Sequence, residues 1–104
     1  MEKFTLNNLA NINLSINLSS LQVFKDNITT KQIVELFGPA PSDAYFDPEN
    51  GYDGLEWKFV SESGSTVTLY ARWGQWRIGG YDQDLAVEFS DWLDREVFKT
   101  ASQK

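Results

Sequence analysis

The chain has 104 residues, a length typical of one domain, and its hydrophobic content of 41% is enough for a single core. Its net charge of −6 and its nine scattered Lys and Arg residues argue against direct nucleic-acid binding, which needs clustered basic residues. The lack of Cys and His excludes disulfides and thiolate metal sites, and it removes the usual general base and the commonest metal ligand.

The N-terminal segment contains a regular alternation of side chains. Residues 11–19 read NINLSINLS, so Ile and Leu fall on one face and Asn and Ser on the other. This period of two predicts a strand with one buried face. Because Asn is a poor strand former, pairing with another strand must hold the segment in place. Leu21, Val23 and Phe24 can extend the strand after an irregularity.

The sequence NITTKQIVELFGP, residues 27–39, predicts a short helix. Thr29 or Thr30 can cap its first free backbone N–H groups, and Gly38 followed by Pro39 is typical of a helix end. On this pattern the core side of the helix carries Ile33, Val34 and Phe37.

Residues 39–54, here called the long loop, read PAPSDAYFDPENGYDG and contain all three prolines of the chain. A connection of this length is unusual in a compact domain, so the loop is either mobile or functional. Its aromatic residues are Tyr45, Phe46 and Tyr52, and they lie among Asp43, Asp47, Glu49 and Asp53.

Three further strands are predicted over residues 55–61, 65–73 and 76–81. A three-residue loop at 62–64, with Gly64 in the left-handed position, keeps one face of the first hairpin apolar throughout. The pairs made in this register are Phe59 with Val67 and Trp57 with Leu69.

The second turn is predicted at Gly74-Gln75 as a type II′ turn, because Gly stands at its first central position. This turn places Trp73 opposite Trp76 on the apolar face, and Arg72 opposite Arg77 on the other face. The side chains expected to point toward the helices are those of Leu55, Trp57, Phe59, Val67, Leu69, Ala71, Trp73, Trp76 and Ile78.

Both pairs allow two interpretations. Trp73 and Trp76 are most simply the end of the core, and the alternative is an exposed contact patch at the rim of the sheet. Like charges opposite each other repel, so Arg72 and Arg77 need compensation. A salt bridge with Glu56 would supply it, and the alternatives are an acidic partner or the acidic residues of the long loop.

Residues 82–99 predict a second helix, because apolar residues recur there at helical spacing. Asp82 or Asp84 can cap its first turn. The apolar positions are Leu85, Phe89, Trp92, Leu93 and Val97. The acidic positions are Glu88, Asp91, Asp94 and Glu96, which are interpreted as a solvated face, with a surface for a basic protein as the alternative.

These elements predict a single α+β domain over residues 1–104, with an N-terminal strand segment at 1–24. The sheet is antiparallel, formed by a three-strand meander plus the N-terminal strand, and the two α-helices pack on one face. The N-terminal strand is separated from the meander by a helix and the long loop. It must therefore join a sheet edge of its own chain or of another chain.

Three segments carry a resemblance to small phage-type and mobile-element proteins, including those of integron gene cassettes. They are ITTKQIVELFGPA, WKFVSESGSTVTLYARW and WRIGGY, and the resemblance covers residues 28–97. These proteins share a helix ending in Phe-Gly-Pro, a hairpin, and a Trp-x-Ile-Gly-Gly strand. Many have an acidic insertion between the last two strands and a His before Ile-Gly-Gly. This chain has only Gly74-Gln75 and Arg77 there, so no role of that histidine transfers. The group has no settled function, and the resemblance implies a fold and a mobile-element origin.

We expect a non-enzymatic interaction or assembly protein of a mobile element, which self-associates as a homodimer through a sheet edge or face. The alternative is a small-molecule binding module, in which the long loop closes over the tryptophan hairpin around an apolar or cationic ligand. A protein partner is compatible with either role. The candidate binding residues are Tyr45, Phe46, Tyr52, Tyr70, Arg72, Trp73, Trp76 and Arg77.

No residue pattern indicates catalysis, a metal site or a cofactor. Carboxylate pairs such as Asp82/Asp84 and Asp47/Glu49 are explained by helix capping and turn chemistry. The sequence contains no run of apolar residues long enough to span a membrane, and its first residues, MEKFTLNNLANIN, lack the apolar core of a signal peptide. We therefore expect a cytoplasmic protein without membrane contact.

Overall fold

The computed structural model describes residues 3–7, 21–42, 44, 46–80 and 82–102. Within them the chain forms a six-stranded antiparallel sheet and two α-helices. The elements are β1 (Phe4–Leu6), β2 (Leu21–Lys25), α1 (Thr30–Phe37), β3 (Phe46–Asp47), a 3₁₀ turn (Pro48–Asn50), β4 (Tyr52–Ser61), β5 (Thr66–Arg72), β6 (Gln75–Gly80) and α2 (Gln83–Ser102). The predicted α+β class is confirmed.

The sheet order is β1-β4-β5-β6-β2, and β3 pairs with the first residues of β4. The predicted meander is therefore present as β4, β5 and β6. The strand predicted at residues 11–19 lies outside the described residues. Its predicted extension is β2, which pairs with β6 of the same chain through Val23 and Ile78. Sequence patterning missed β1, since three residues are too few to show a period.

The β4–β5 hairpin has the predicted register, with Trp57 opposite Leu69 and Phe59 opposite Val67. Gly64 has the left-handed φ of 89° that the three-residue loop requires. All four paired side chains are completely buried. The indole N–H of Trp57 donates to the carbonyl of Gly38, 3.1 Å away, so the residue that caps the end of α1 satisfies the polar atom of this core residue.

The β5–β6 turn differs from the prediction. Its central residues are Trp73 and Gly74, with φ values of 55° and 73°, which is the pattern of a type I′ turn. Arg72 therefore faces Gln75, and Ala71 faces Trp76. The predicted pairing of Trp73 with Trp76 is wrong, and so is the pairing of Arg72 with Arg77.

The physical reason for this register lies in the core. It seats the large indole of Trp76 opposite the small Ala71, 5.9 Å from the ring of Trp57, and it pairs Leu69 with Ile78. Because the partners shift by two residues, each strand keeps its faces. Trp76 stays inside as predicted. Trp73 leaves the apolar face and is 63% exposed.

Both helices cover the apolar face, as predicted. The buried cluster is formed by Phe4, Ile28, Ile33, Trp57, Phe59, Val67, Leu69, Ala71, Trp76, Ile78, Ala86, Phe89 and Leu93. Phe89 of α2 lies 4.8 Å from the ring of Phe59 and 5.1 Å from that of Phe4. One predicted core position of α1 is wrong: Val34 is exposed, and Leu36 packs against the cluster instead.

Both helix starts have the caps that the sequence predicts. The Thr29 hydroxyl accepts from the backbone N–H of Gln32, and the Gln32 side chain accepts from the N–H of Thr29. Asp82 Oδ1 accepts from the N–H of Asp84 at 2.9 Å. In the described part of the chain, neither helix has the apolar length needed to cross a membrane.

A buried cation joins the edge strand β2 to α2. Lys25 is almost completely buried, and its Nζ lies 2.6 Å from Asp94 Oδ1 and 2.9 Å from the Ser90 hydroxyl. Asp94, which was expected on a solvated acidic face, also accepts from Asn27 Nδ2 at 3.2 Å. The side chain of Asp94 remains 44% exposed, so the pair lies at the margin of the core.

We predict that Asp94→Ala lowers the free energy of unfolding by about 1–3 kcal/mol, because it leaves the buried Lys25 ammonium with Ser90 as its main remaining partner. Lys25→Met removes the charge together with its need for a partner, so its loss is smaller. Urea denaturation measures both. The control is Glu96→Ala, which breaks an exposed pair with Lys99 and changes stability by about 0.5 kcal/mol or less. Equal losses for Asp94→Ala and Glu96→Ala would contradict the prediction.

Candidate functional site at the hairpin tip

The β5–β6 turn displays Trp73 in an unfavourable backbone conformation. A φ of 55° is uncommon for residues with bulky side chains and costs of order 1–3 kcal/mol. Most of the indole is nevertheless exposed, although burial is the usual fate of such a large apolar side chain. Strain of this kind persists only where neighbouring structure determines the conformation, and it is concentrated at functional sites.

The end of the long loop supplies that neighbouring structure. The backbone N–H of Trp73 donates to the carbonyl of Gly51 at 2.8 Å. The indole also lies flat against Gly51, since a Cβ atom built at that glycine would be only 2.4 Å from Cδ2 of the indole. Gly51 itself has a left-handed φ of 88° and ends the 3₁₀ turn. Only glycine fits this position without displacing Trp73.

Arg72 makes a second connection between the hairpin and the loop. Its Nε donates to the carbonyl of Asn50 at 2.8 Å, and its guanidinium lies 4.7 Å from the ring centroid of Tyr52. These contacts tie Arg72 to the long loop, and the salt bridge with Glu56 stays a prediction. The loop does compensate Arg72, through a backbone carbonyl.

A cavity of about 440 Å³ lies beside the exposed indole. Its lining residues are Lys25, Asp26, Ile28, Thr29, Thr30, Trp73, Gly74, Gln75 and Trp76. The cavity thus lies between the hairpin tip and the segment that enters α1, and none of the described residues of the long loop lines it. This differs from the predicted pocket between the loop and the hairpin.

The charges in this cavity are not balanced. The Lys25 ammonium is already held by Asp94 and Ser90. Asp26 is exposed and forms no ion pair with any residue that the structure describes. The cavity therefore presents an indole face and a carboxylate to solvent. These two groups attract cations, the indole through its π-electrons and the carboxylate through its charge.

Two of the remaining aromatic candidates lie on the sheet face that points away from the helices. Tyr52 and Tyr70 are buried and stacked with their ring centroids 6.3 Å apart. Arg77 lies 5.1 Å above the ring of the exposed Phe24. Burial and the neighbouring Tyr52 raise the pKa of Tyr70 above its ordinary value, although the nearby arginines oppose this shift.

The eight candidate residues therefore divide into separate groups. Trp73 and Trp76 share the cavity, with Trp76 as its largely buried wall. Tyr52, Tyr70 and Arg72 form a cluster on the outer face, and Arg77 lies over Phe24. Phe46 is 67% exposed on β3, where a Cβ atom built at Gly54 would be 3.5 Å from its ring. Tyr45 lies outside the described residues.

The sequence interpretation missed Asp26, Thr29, Thr30 and Gln75 as cavity residues. The signal that could have found Asp26 is the pairing of Lys25 with Trp76, because it brings the end of β2 to the hairpin tip. Within the described residues, no group of three or more acidic side chains is arranged to hold a metal ion.

Comparison of the chain with protein-family models, with curated proteins and with solved structures gives no match. The resemblance to phage-type and mobile-element proteins stays a prediction.

We predict that Gly51→Ala destabilises the protein by about 1–3 kcal/mol more than Gly64→Ala. The two glycines have nearly the same φ, 88° and 89°, so both substitutions carry the same backbone strain. Only the methyl group at position 51 meets the indole of Trp73, because nothing lies within 4 Å of the corresponding position at Gly64. Chemical denaturation measures the difference. Equal losses would show that Trp73 does not rest on Gly51 in solution.

The raised pKa of Tyr70 predicts that the protein loses stability in alkaline solution. Its pKa in the folded protein is raised above the ordinary 10.0, so the unfolded chain releases this proton at a lower pH than the folded chain. The stabilising contribution is complete below pH 10.0 and is lost as the pH rises from there through the folded pKa. In Tyr70→Phe, the unfolding free energy should fall less steeply above pH 10.0, as measured by urea denaturation across that range. Parallel curves for the two proteins would contradict this.

Proposed function

We propose that this protein is a non-enzymatic interaction module that binds a cationic group of a partner protein at the hairpin tip. The single observation that carries the proposal is Trp73: its backbone is strained, and its indole is exposed and held against Gly51. Tryptophan is enriched among the residues that dominate binding energy at protein interfaces. An indole that is already fixed loses little conformational entropy when a partner binds.

The charge around the indole favours a cationic partner group. Asp26 lines the same cavity and is not neutralised by any described residue, whereas Lys25 is. A Lys or Arg side chain placed against the indole would gain a cation–π contact and an ion pair together. The hydroxyls of Thr29 and Thr30 and the amide of Gln75 supply further polar contacts. The net charge of −6 also attracts a basic partner.

The small-molecule alternative is supported by the cavity volume of about 440 Å³, which falls within the range of ligand sites. Such sites enclose most of their ligand, however, and the principal aromatic group here is largely exposed. This geometry favours a side chain presented by a larger partner. Self-association as a homodimer and a mobile-element origin stay predictions.

The test uses short blocked peptides of arginine and of glutamate, with binding measured by calorimetry at low ionic strength. We expect the arginine peptide to bind the wild-type protein and the glutamate peptide not to bind this site. Trp73→Ala and Asp26→Asn should each weaken binding of the arginine peptide by about fivefold or more, because each removes one of the two cation contacts.

The matched control is Phe98→Ala, which removes another exposed aromatic side chain that does not line the cavity. It should leave the affinity for the arginine peptide unchanged. The proposal fails if the arginine peptide does not bind, or if Phe98→Ala weakens binding as much as Trp73→Ala. If an uncharged aromatic compound binds at Trp73 and the arginine peptide does not, the small-molecule role replaces it.

A further inference from the structure

A second groove, of about 500 Å³, lies between the edge strand β1 and the C-terminal half of α2. Its lining residues are Lys3, Phe4, Thr5, Trp92, Arg95, Glu96 and Lys99. The floor is aromatic, since the rings of Phe4 and Trp92 are 5.6 Å apart. We name this surface the basic groove. It shares no residue with the cavity at the hairpin tip.

The groove concentrates positive charge on an acidic protein. It contains three of the nine basic residues of the chain. Glu96 lies 3.5 Å from Lys99 and offsets one of these charges. The ammonium of Lys3 and the guanidinium of Arg95 form no ion pair with any residue in the described part of the chain. A ligand with carboxylates and one apolar or aromatic group matches this lining.

The chain itself displays a surface of that chemistry. Phe46 is 67% exposed, and it pairs across β3 and β4 with the exposed Asp53. The exposed Glu49 lies in the adjoining 3₁₀ turn. Neither carboxylate forms an ion pair with the described residues. We name Phe46, Glu49 and Asp53 the acidic lobe.

The lobe cannot reach the groove of its own chain. The strand β3, which carries Phe46 of the lobe, pairs with the first residues of β4. The strand β1 pairs with the last residues of β4, Phe59 to Ser61. Asp53 and Val60 lie on the same strand and are roughly 23 Å apart at 3.3 Å per residue. The two complementary surfaces therefore lie at opposite ends of β4, where only a second copy can join them.

We infer that the acidic lobe of one copy binds the basic groove of a second copy, with the Phe46 ring over the aromatic floor and the two carboxylates beside Lys3, Arg95 and Lys99. One such contact leaves a free lobe on one copy and a free groove on the other. These two free surfaces either meet each other and close a two-fold dimer or bind further copies.

The experiment uses two charge-reversed forms of the full chain. The groove variant carries Arg95→Glu and Lys99→Glu, and the lobe variant carries Glu49→Lys and Asp53→Lys. Sedimentation velocity at low ionic strength measures the mass of each form against concentration. We expect the wild-type mass to rise with concentration past that of the monomer, and to fall on addition of salt, which screens the contact.

Each variant alone should remain monomeric, with an apparent Kd for association weakened about tenfold or more. An equimolar mixture should associate again, beginning with a heterodimer. The groove variant still offers a normal lobe, and the lobe variant still offers a normal groove. Formation of the heterodimer also shows that both variants are folded. Phe46→Ser, which changes no charge, should weaken association of the otherwise wild-type chain.

Three results would overturn the inference. The first is a wild-type chain that stays monomeric at all concentrations at low ionic strength. The second is a groove or lobe variant that associates as well as the wild type. The third is a mixture without heterodimer although both variants have the wild-type circular dichroism spectrum. Binding of the arginine peptide at Trp73 is measured separately, so either idea can fail while the other stands.

Discussion

The structure depends on the register of the β4–β5 hairpin, because that register decides which side of the sheet the helices can cover. Trp57 faces Leu69 and Phe59 faces Val67, and all four are removed from water. Burying a side chain of this size contributes about 1.5–3 kcal/mol relative to leaving it exposed. A slip of one residue would turn the apolar side chains of one of these strands outward and bring Lys58 or Thr68 under the helices. Gly64 allows the loop that fixes this register.

The register of the next hairpin is a compromise between the core and the turn. A type I′ turn at Trp73 and Gly74 places a large side chain where glycine or asparagine is preferred. This turn lets Trp76 lie opposite Ala71 and Ile78 lie opposite Leu69, so both side chains stay in the core. Local strain at one exposed residue is thus the consequence of close packing at several buried ones. The contacts with Gly51 that hold Trp73 in this strained conformation also fix the indole at the tip.

The sequence predicted features that depend on neighbouring residues and missed those that depend on distant ones. Side-chain alternation gave the register of β4 and β5, and capping residues gave the start of each helix. The turn after β5 could not be predicted, because Gly74 suits both turn types and the left-handed Trp73 is disfavoured locally. The turn type is decided by Gly51, which belongs to another part of the chain. Its carbonyl accepts the N–H of Trp73, and its lack of a side chain leaves room for the indole.

The distribution of charged residues shows the same limit of prediction from sequence. Nine basic residues scattered along the sequence give no basic cluster, yet the fold brings Lys3 to Arg95 and Lys99 in one groove. It also buries Lys25 against Asp94, which removes that cation from the surface around Trp73. Net charge and sequence spacing therefore describe the average field of the molecule, but a partner responds to the local field at the surface it contacts. An acidic protein can present positive charge on one surface and negative charge on another, because the tertiary fold brings together charges that are far apart along the chain.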